Sequence, residues 1–292
     1  MKEIVKTWTV LDILKVTEAA FRGRGISNPR LNAELLLADT TGDSRINLYL
    51  NFEKPLTESE VSDYRNRVKR RLKFEPLQYI RGKTEFYGLE FNVTPDVLIP
   101  RQETEILVEK VLEYKKVSGI KCPKILEIGT GSGCISISIA ANSECQIRAF
   151  DVSTKAIVVA QLNSLANNTT PKIQFDTLDF FSPEVTFEGY DIILSNPPYI
   201  SAQDVPGLNE EVNAYEPYIA LTDDGDGLSF YKRIFELYNT SQNKPAIFLE
   251  IGDGKKEDVT ALMKKNNITK YALHKDLMNM PRVLEIEGTV RK

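Results

Sequence analysis

The stretch KILEIGTGSGCISISIA, Lys124 to Ala140, decides how this chain folds. Its apolar run from Ile125 to Ile128 has the length of a buried strand, the glycines then break it, and the residues from Cys134 to Ala141 read as a helix. A strand, a glycine turn and a helix in that order open a parallel sheet covered by helices. Gly129, Thr130, Gly131, Ser132 and Gly133 make the turn. Without a Cβ at the three glycines, the backbone turns tightly and a ligand can reach the amides. About twenty residues on, the next strand ends in AFDVS, which puts Asp151 at a strand tip where a carboxylate can accept both hydroxyls of a ribose. The pair is a nucleoside half-site. Its spacing is G-x-G-x-G, whereas a dinucleotide site uses G-x-G-x-x-G, and Glu127 stands just before it. An acidic group there repels a diphosphate and suits the ammonium of an amino-acid tail. The cofactor expected is therefore S-adenosyl-L-methionine, leaving S-adenosyl-L-homocysteine as product, and not NAD.

Outward from this unit the alternation continues. Apolar strands are expected at 124–128, 146–150, 172–175, 191–194 and 246–251, with helices at 134–141, 155–167 and 229–237 among them. The end, ITKYALHKDLMNMPRVLEIEG, reads as two strands with no helix between, an antiparallel edge on a mostly parallel sheet. In DTLDFFSP, Asp179 and Phe180 fall where a strand tip would meet an adenine ring, the carboxylate taking the amino group and the aromatic bordering the ring; core packing of Phe180 and Phe181 is the competing reading.

The fourth strand ends in DIILSNPPYI, where Pro197 and Pro198 forbid continuation. Asn196 to Tyr199 form a rigid corner beside the crevice of the glycine loop. The nitrogen of a planar NH₂ is a poor nucleophile because its lone pair is delocalised. The Asn196 oxygen and the Pro197 carbonyl can accept its two hydrogens, which places the nitrogen and enriches it in electron density. Pro198 stiffens the corner and Tyr199 can stack on the flat group. The corner points to methylation of a planar nitrogen, with Asn196 as the catalytic group and also within reach of the cofactor, and the chemistry asks for no metal. It does not choose between glutamine, adenine and guanine.

The first 75 residues read as helices: one entered at Thr9 with Val10, Leu11, Leu14, Ala19 and Phe21 near one face, one capped by Asn28 with Pro29 at its first position, and one opened by a Thr57/Glu60 capping box. The third carries the apolar stripe Val61, Tyr64, Val68 and Leu72 and a basic run, Arg65, Arg67, Lys69, Arg70 and Arg71, which is either a solvated face or a dock for an acidic macromolecule. LQYIRGKTEFYGLEFNVTP, punctuated by Gly82 and Gly88, reads as a hairpin. The expected domains are 1–75, helical; 76–100, a β-hairpin linker; and 101–292, the α/β domain.

Bulk properties narrow the field. The 292 residues carry a net charge of −4. Residues 1–75 hold 14 Lys/Arg against 11 Asp/Glu, the rest 23 against 30, so a general grip on nucleic acid is not expected. Cys122, Cys134 and Cys145 form no CxxC pair and suit a reducing cytoplasm. No apolar run approaches membrane-spanning length, and MKEIVKTWTVLDILK has no signal-peptide core. His274, the one histidine, has no ligand spacing around it.

Taken together, YIRGKTEFYG, IPRQETEILVE, EIGTGSGCISISIA, DVS, SNPPYI, YEPYIALTDDGDGLSFY, LEIG and KDLMNMPRV resemble the bacterial peptide chain release factor N5-glutamine methyltransferases nearly end to end. The resemblance implies methylation of the glutamine side chain in the Gly-Gly-Gln loop of release factors by a Rossmann-like methyltransferase domain behind a helical substrate-recognition domain. It also implies that Gly129 to Gly133, Asp151 and Phe180 line the cofactor and that Asn196 to Tyr199 hold the glutamine. Gln102 stands where the family usually has proline, and Asp223-Asp224 where it commonly has two glycines. The partners expected are release factors, met by a cytoplasmic monomer without direct nucleic-acid or membrane contact. An N6-adenine methyltransferase acting on DNA or RNA is the alternative, and a non-catalytic S-adenosylmethionine-binding scaffold is a further one.

Overall fold

Side-chain caps at Thr9, Ser44, Thr57 and Ser153 start four helices of the computed structural model, which describes residues 7–276 and 278–289. The readings that fall on residues 1–6 and 290–292, and on Leu277 within KDLMNMPRV, lie outside the described residues. The chain divides into two compact units, Met1–Gly82 with Glu210–Tyr215, and Lys83–Asn209 with Glu216–Lys292.

In the first unit, α1 (Val10–Gly23) starts where Thr9 Oγ1 accepts the Asp12 N–H at 3.2 Å. It buries Val10, Ile13, Leu14, Thr17 and Phe21. Ala19, expected on that face, is exposed. At the start of α2 (Pro29–Thr41) the expected cap fails: Asn28 is left-handed, φ 50°, and makes no side-chain capping bond. Pro29 starts the helix by its fixed φ, and Asn32 Nδ2 donates back to the Ser27 and Asn28 carbonyls at 3.0 and 3.1 Å. A short α3 (Arg45–Leu50) was not legible. α4 (Glu58–Arg71) has the Thr57/Glu60 capping box in both directions. α5 (Leu77–Arg81) corrects the expected boundary. Its aromatic and β-branched residues look like strand, yet Pro76 opens and left-handed Gly82 closes a helical turn, so the helical unit runs past residue 75. Ile80 joins Leu14, Phe21, Leu36, Leu37 and Tyr64 in one core.

The second unit opens with the antiparallel pair β1 (Lys83–Phe86) and β2 (Leu89–Asn92), turned through left-handed Tyr87 and Gly88. Then follow α6 (Glu105–Ser118), β3 (Lys124–Ile128), α7 (Cys134–Asn142), β4 (Gln146–Asp151), α8 (Thr154–Ala166), β5 (Ile173–Thr177) and β6 (Ile192–Ser195). The chain next supplies α9 (Glu210–Tyr215) to the first unit and returns as α10 (Ser229–Thr240), β7 (Ala246–Glu250), α11 (Lys256–Lys265), β8 (Tyr271–Lys275) and β9 (Pro281–Ile286). The sheet order is β5-β4-β3-β6-β7-β9-β8. The first five strands are parallel, and β9 and β8 form the antiparallel edge that the terminal segment foretold.

Side chains alternate across each strand. Ile125, Ile147, Ile192 and Phe248 pack on one face with Leu107, Val111 and Ile137; Leu126, Phe150, Ile193 and Leu249 pack on the other with Tyr231, Phe235 and Met263. The strand order reverses between β3 and β6, and a crevice opens there at the carboxyl ends.

Candidate active site

In that crevice lies a cavity of about 510 Å³. Gly129, Thr130, Gly131 and Ser132 from the loop after β3, Asp151 from β4, Asp179 and Phe180 after β5, and Asn196, Pro197 and Pro198 after β6 all line it. These sequence-distant residues converge because four parallel strands end at one edge. Gly129 and Gly131 sit at φ 72° and 54°, and a Cβ on either would meet nothing within 4 Å, so the loop's open side is accessible to a ligand. Asp151 organises the loop: its oxygens accept the N–H of Gly131 and of Ser153, each at 2.9 Å. Both retain lone-pair capacity for a further donor. Burial holds its carboxyl above the ordinary aspartate range.

Two expected residues lie elsewhere. Gly133 is not in the lining. A Cβ there would stand 2.9 Å from Ile137 Cδ1 and 3.2 Å from Ala160 Cβ, so this glycine lets α7 approach α8. Nor does Tyr199 line the cavity. Its ring is pressed against Gly252, where a Cβ would come within 2.3 Å of Cδ2, and its carbonyl lies against Gly227. The hydroxyl donates to Glu250 Oε1 at 3.4 Å. A tyrosine clasped between two glycines fixes the corner, and the stacking role expected for it is corrected to one of support. Phe180 does border the cavity, but it is 3% exposed and stacked with Phe230, ring centroids 5.5 Å apart. It is chiefly a core aromatic.

Glu127 also departs from expectation. It is fully buried beneath the loop, accepting from Thr130 Oγ1 at 2.7 Å and from Ser136 Oγ, while Oε1 has no partner among the described residues. Burial pushes its carboxyl up to about 7. Glu250, at the tip of β7, is likewise buried and pushed up to about 7.

Sequence reasoning missed three supporting residues. Thr104 lines the cavity, accepts from Asn196 Nδ2 at 3.3 Å and donates to Glu250 Oε2 at 2.6 Å. Asn163, fully buried on α8, donates to the Ser132 carbonyl at 2.9 Å and so holds the glycine loop from behind. Asp223 accepts the N–H groups of Gly225, Gly227 and Ser229 at 2.8–2.9 Å, and Asp224 takes up φ 59°. Those bonds account for an aspartate pair at a place where glycines would turn freely. Only Glu250, inside LEIG, lay in a short motif with an evident strand-tip position.

The cavity carries Asp96, Asp151, Asp179, Asp223 and Asp224 against Arg101, whose guanidinium is paired with Glu216 at 2.6 Å. Such a lining favours a cationic ligand over a phosphorylated one. Burial pushes the Cys134 thiol up to about 12, so it lines the wall as a neutral group. His274 bonds Glu285 at 2.6 Å on the edge strands and is not in the lining. Among the described residues no three His, Cys, Asp or Glu side chains gather as metal ligands, and no helix is long and apolar enough to cross a membrane.

Residues 12–82 match the family model described as the PrmC N-terminal domain, and residues 102–212 match the methyltransferase small domain. The chain is 36% identical over 286 residues to the release factor glutamine methyltransferase of Geobacter sulfurreducens, spanning 97% of this chain and 98% of that protein. It is 41% identical over 236 residues to the protein of the same name from Chlorobaculum tepidum, covering 78% and 80% respectively. Among solved structures, the catalytic domain of hMettl16 in complex with MAT2A 3'UTR hairpin 1 shares the fold, with a TM-score of 0.55 at 18% identity over 70% of this chain and 78% of that one.

Proposed function

This chain belongs to the release factor glutamine methyltransferases, and from that premise we propose that it methylates the side-chain amide nitrogen, N5, of the glutamine in the Gly-Gly-Gln motif of peptide chain release factors, in the cytoplasm. The observation that carries the reading is the convergence of Asn196 and the glycine loop on one acidic cavity. When bound, S-adenosyl-L-methionine supplies a methyl group on a sulfonium. The fit rests on the open faces of Gly129 and Gly131, on the remaining acceptor capacity of Asp151 toward a ribose, and on Asp179 with Phe180 for the adenine. A lining in which aspartates outnumber cations, with Arg101 paired to Glu216 and Asp96 to Lys155, suits a positively charged ligand.

Asn196 and the Pro197 carbonyl take the two hydrogens of the glutamine amide and aim its nitrogen at the methyl group. Their pull grows as the nitrogen becomes positive, so the Asn196 oxygen stabilises the transition state more than the ground state. After transfer the nitrogen is acidic and its proton leaves to solvent, so neither a histidine base nor a metal is called for. The helical unit, with the basic run on α4, is assigned to release-factor recognition, and the acidic second unit supports a protein substrate over nucleic acid.

Radiolabelled methyl transfer offered in parallel to release factor, tRNA and DNA tests this, with mass spectrometry of the Gly-Gly-Gln peptide. A gain of one methyl on that glutamine is expected. Label in tRNA or DNA with none in release factor would overturn the proposal.

A further inference from the structure

A carboxamide presents an oxygen on one side and an NH₂ of nearly the same size on the other. Toward a substrate amide only the oxygen is useful, because two NH₂ groups facing each other share no acceptor. Something must therefore choose the orientation of Asn196. Its Nδ2 donates to Thr104 Oγ1 at 3.3 Å. The Thr104 hydroxyl owns a single hydrogen, and that hydrogen goes to Glu250 Oε2 at 2.6 Å. Toward Asn196 the hydroxyl is left with lone pairs alone, so only the NH₂ side of the carboxamide can meet it. Asn196 Oδ1 has no hydrogen-bond partner among the described residues and stands free as the acceptor.

Glu250 is itself held in place. It is 1% exposed, with Oε1 taking the Tyr199 hydroxyl at 3.4 Å and its backbone carbonyl taking the Tyr231 hydroxyl at 2.7 Å. The relay thus links the tip of β7, the turn before α6 and the tip of β6. We propose that Glu250 and Thr104 are positioning residues for the methyl transfer, fixing the Asn196 carboxamide with its oxygen toward the target amide. This rests on the proposed function in taking Asn196 as the acceptor of the glutamine hydrogens.

The test compares Thr104→Val, which keeps the shape and removes the hydroxyl, with Thr104→Ser, which restores it. Thr104→Val should lower kcat on release factor about tenfold, with KM for both substrates within about twofold, as expected when orientation and not binding is lost. Thr104→Ser should remain within about threefold of the unsubstituted enzyme. A second readout needs no turnover. In ¹⁵N-labelled protein the Asn196 side-chain NH₂ resonances, assigned by their loss in Asn196→Asp, should shift in Thr104→Val and return in Thr104→Ser. Normal kcat in Thr104→Val, equal impairment of both variants, or an unmoved NH₂ pair would overturn the proposal. Failure of the unsubstituted enzyme to methylate release factor would instead strike the proposed function, and the orientation of Asn196 would be decided by the resonances.

Discussion

Asn196→Ala should lower kcat by about 10²–10³ while changing substrate and cofactor affinity little, because the lost acceptor matters most at the transition state. Steady-state kinetics on release factor, with kcat separated from KM, checks it. Asp151→Ala should weaken S-adenosyl-L-methionine by about 1.5–3 kcal/mol, measured by calorimetric titration, since a charged acceptor is removed. Some of that loss will be indirect, because Asp151 also holds the Gly131 and Ser153 amides. The strand tips that meet at the cavity were legible in the sequence, since they announce themselves through apolar runs that end abruptly. The illegible part was what backs the lining. Thr104 and Asn163 have partners 92 and 31 residues away, so no local pattern marks them, whereas Asp223 bonds amides no more than 6 residues on and acts through its own loop. Tyr199 misled for a related reason: its chemistry suits stacking, and only its packing on Gly252 shows that its ring is spoken for.

At the scale of elements, the basic run on α4 is not uniform. Arg67 bonds Asp63 and Arg70 bonds Glu75 at an exposed surface. Arg71 is 3% exposed, with Asn32 at 2.8 Å and Glu211 at 2.6 Å. Arg67→Glu with Arg70→Glu should raise KM for release factor and leave cofactor binding alone; an unchanged KM would make the run a solvated face. Arg71→Ala should instead destabilise the helical unit by about 2–4 kcal/mol in urea titration, because it strands the buried Asn32 and leaves the half-buried Glu211 without its cation. Gly133→Ala should lower stability by about 1–3 kcal/mol through strain at φ 80° and crowding between α7 and α8. Periodicity revealed the long elements well. It failed at α5, where bracketing by Pro76 and Gly82 outweighed strand-like composition, and at α11, whose lysine-rich start hid Val259 and Met263.

For the whole molecule, Glu127 and Glu250 set a dependence on pH. Both carboxyls stand at about 7 in the folded protein, against about 4.5 when exposed. The folded state therefore holds more protons than the unfolded state between those values, and the stability from these groups is full below about pH 4.5 and lost as pH rises through 7. Urea unfolding of the ligand-free enzyme should show lower stability at pH 8 than at pH 5.5. Glu127→Gln should raise stability more at pH 8 than at pH 5.5, by up to roughly 3 kcal/mol. The path of the chain has a different reach. Because Glu210–Tyr215 folds with residues 1–82, a gene cut after codon 82 would yield a helical unit without Glu211 to neutralise Arg71, and a catalytic fragment carrying a helix with nowhere to fold. Separating the two units at that junction would therefore damage both halves.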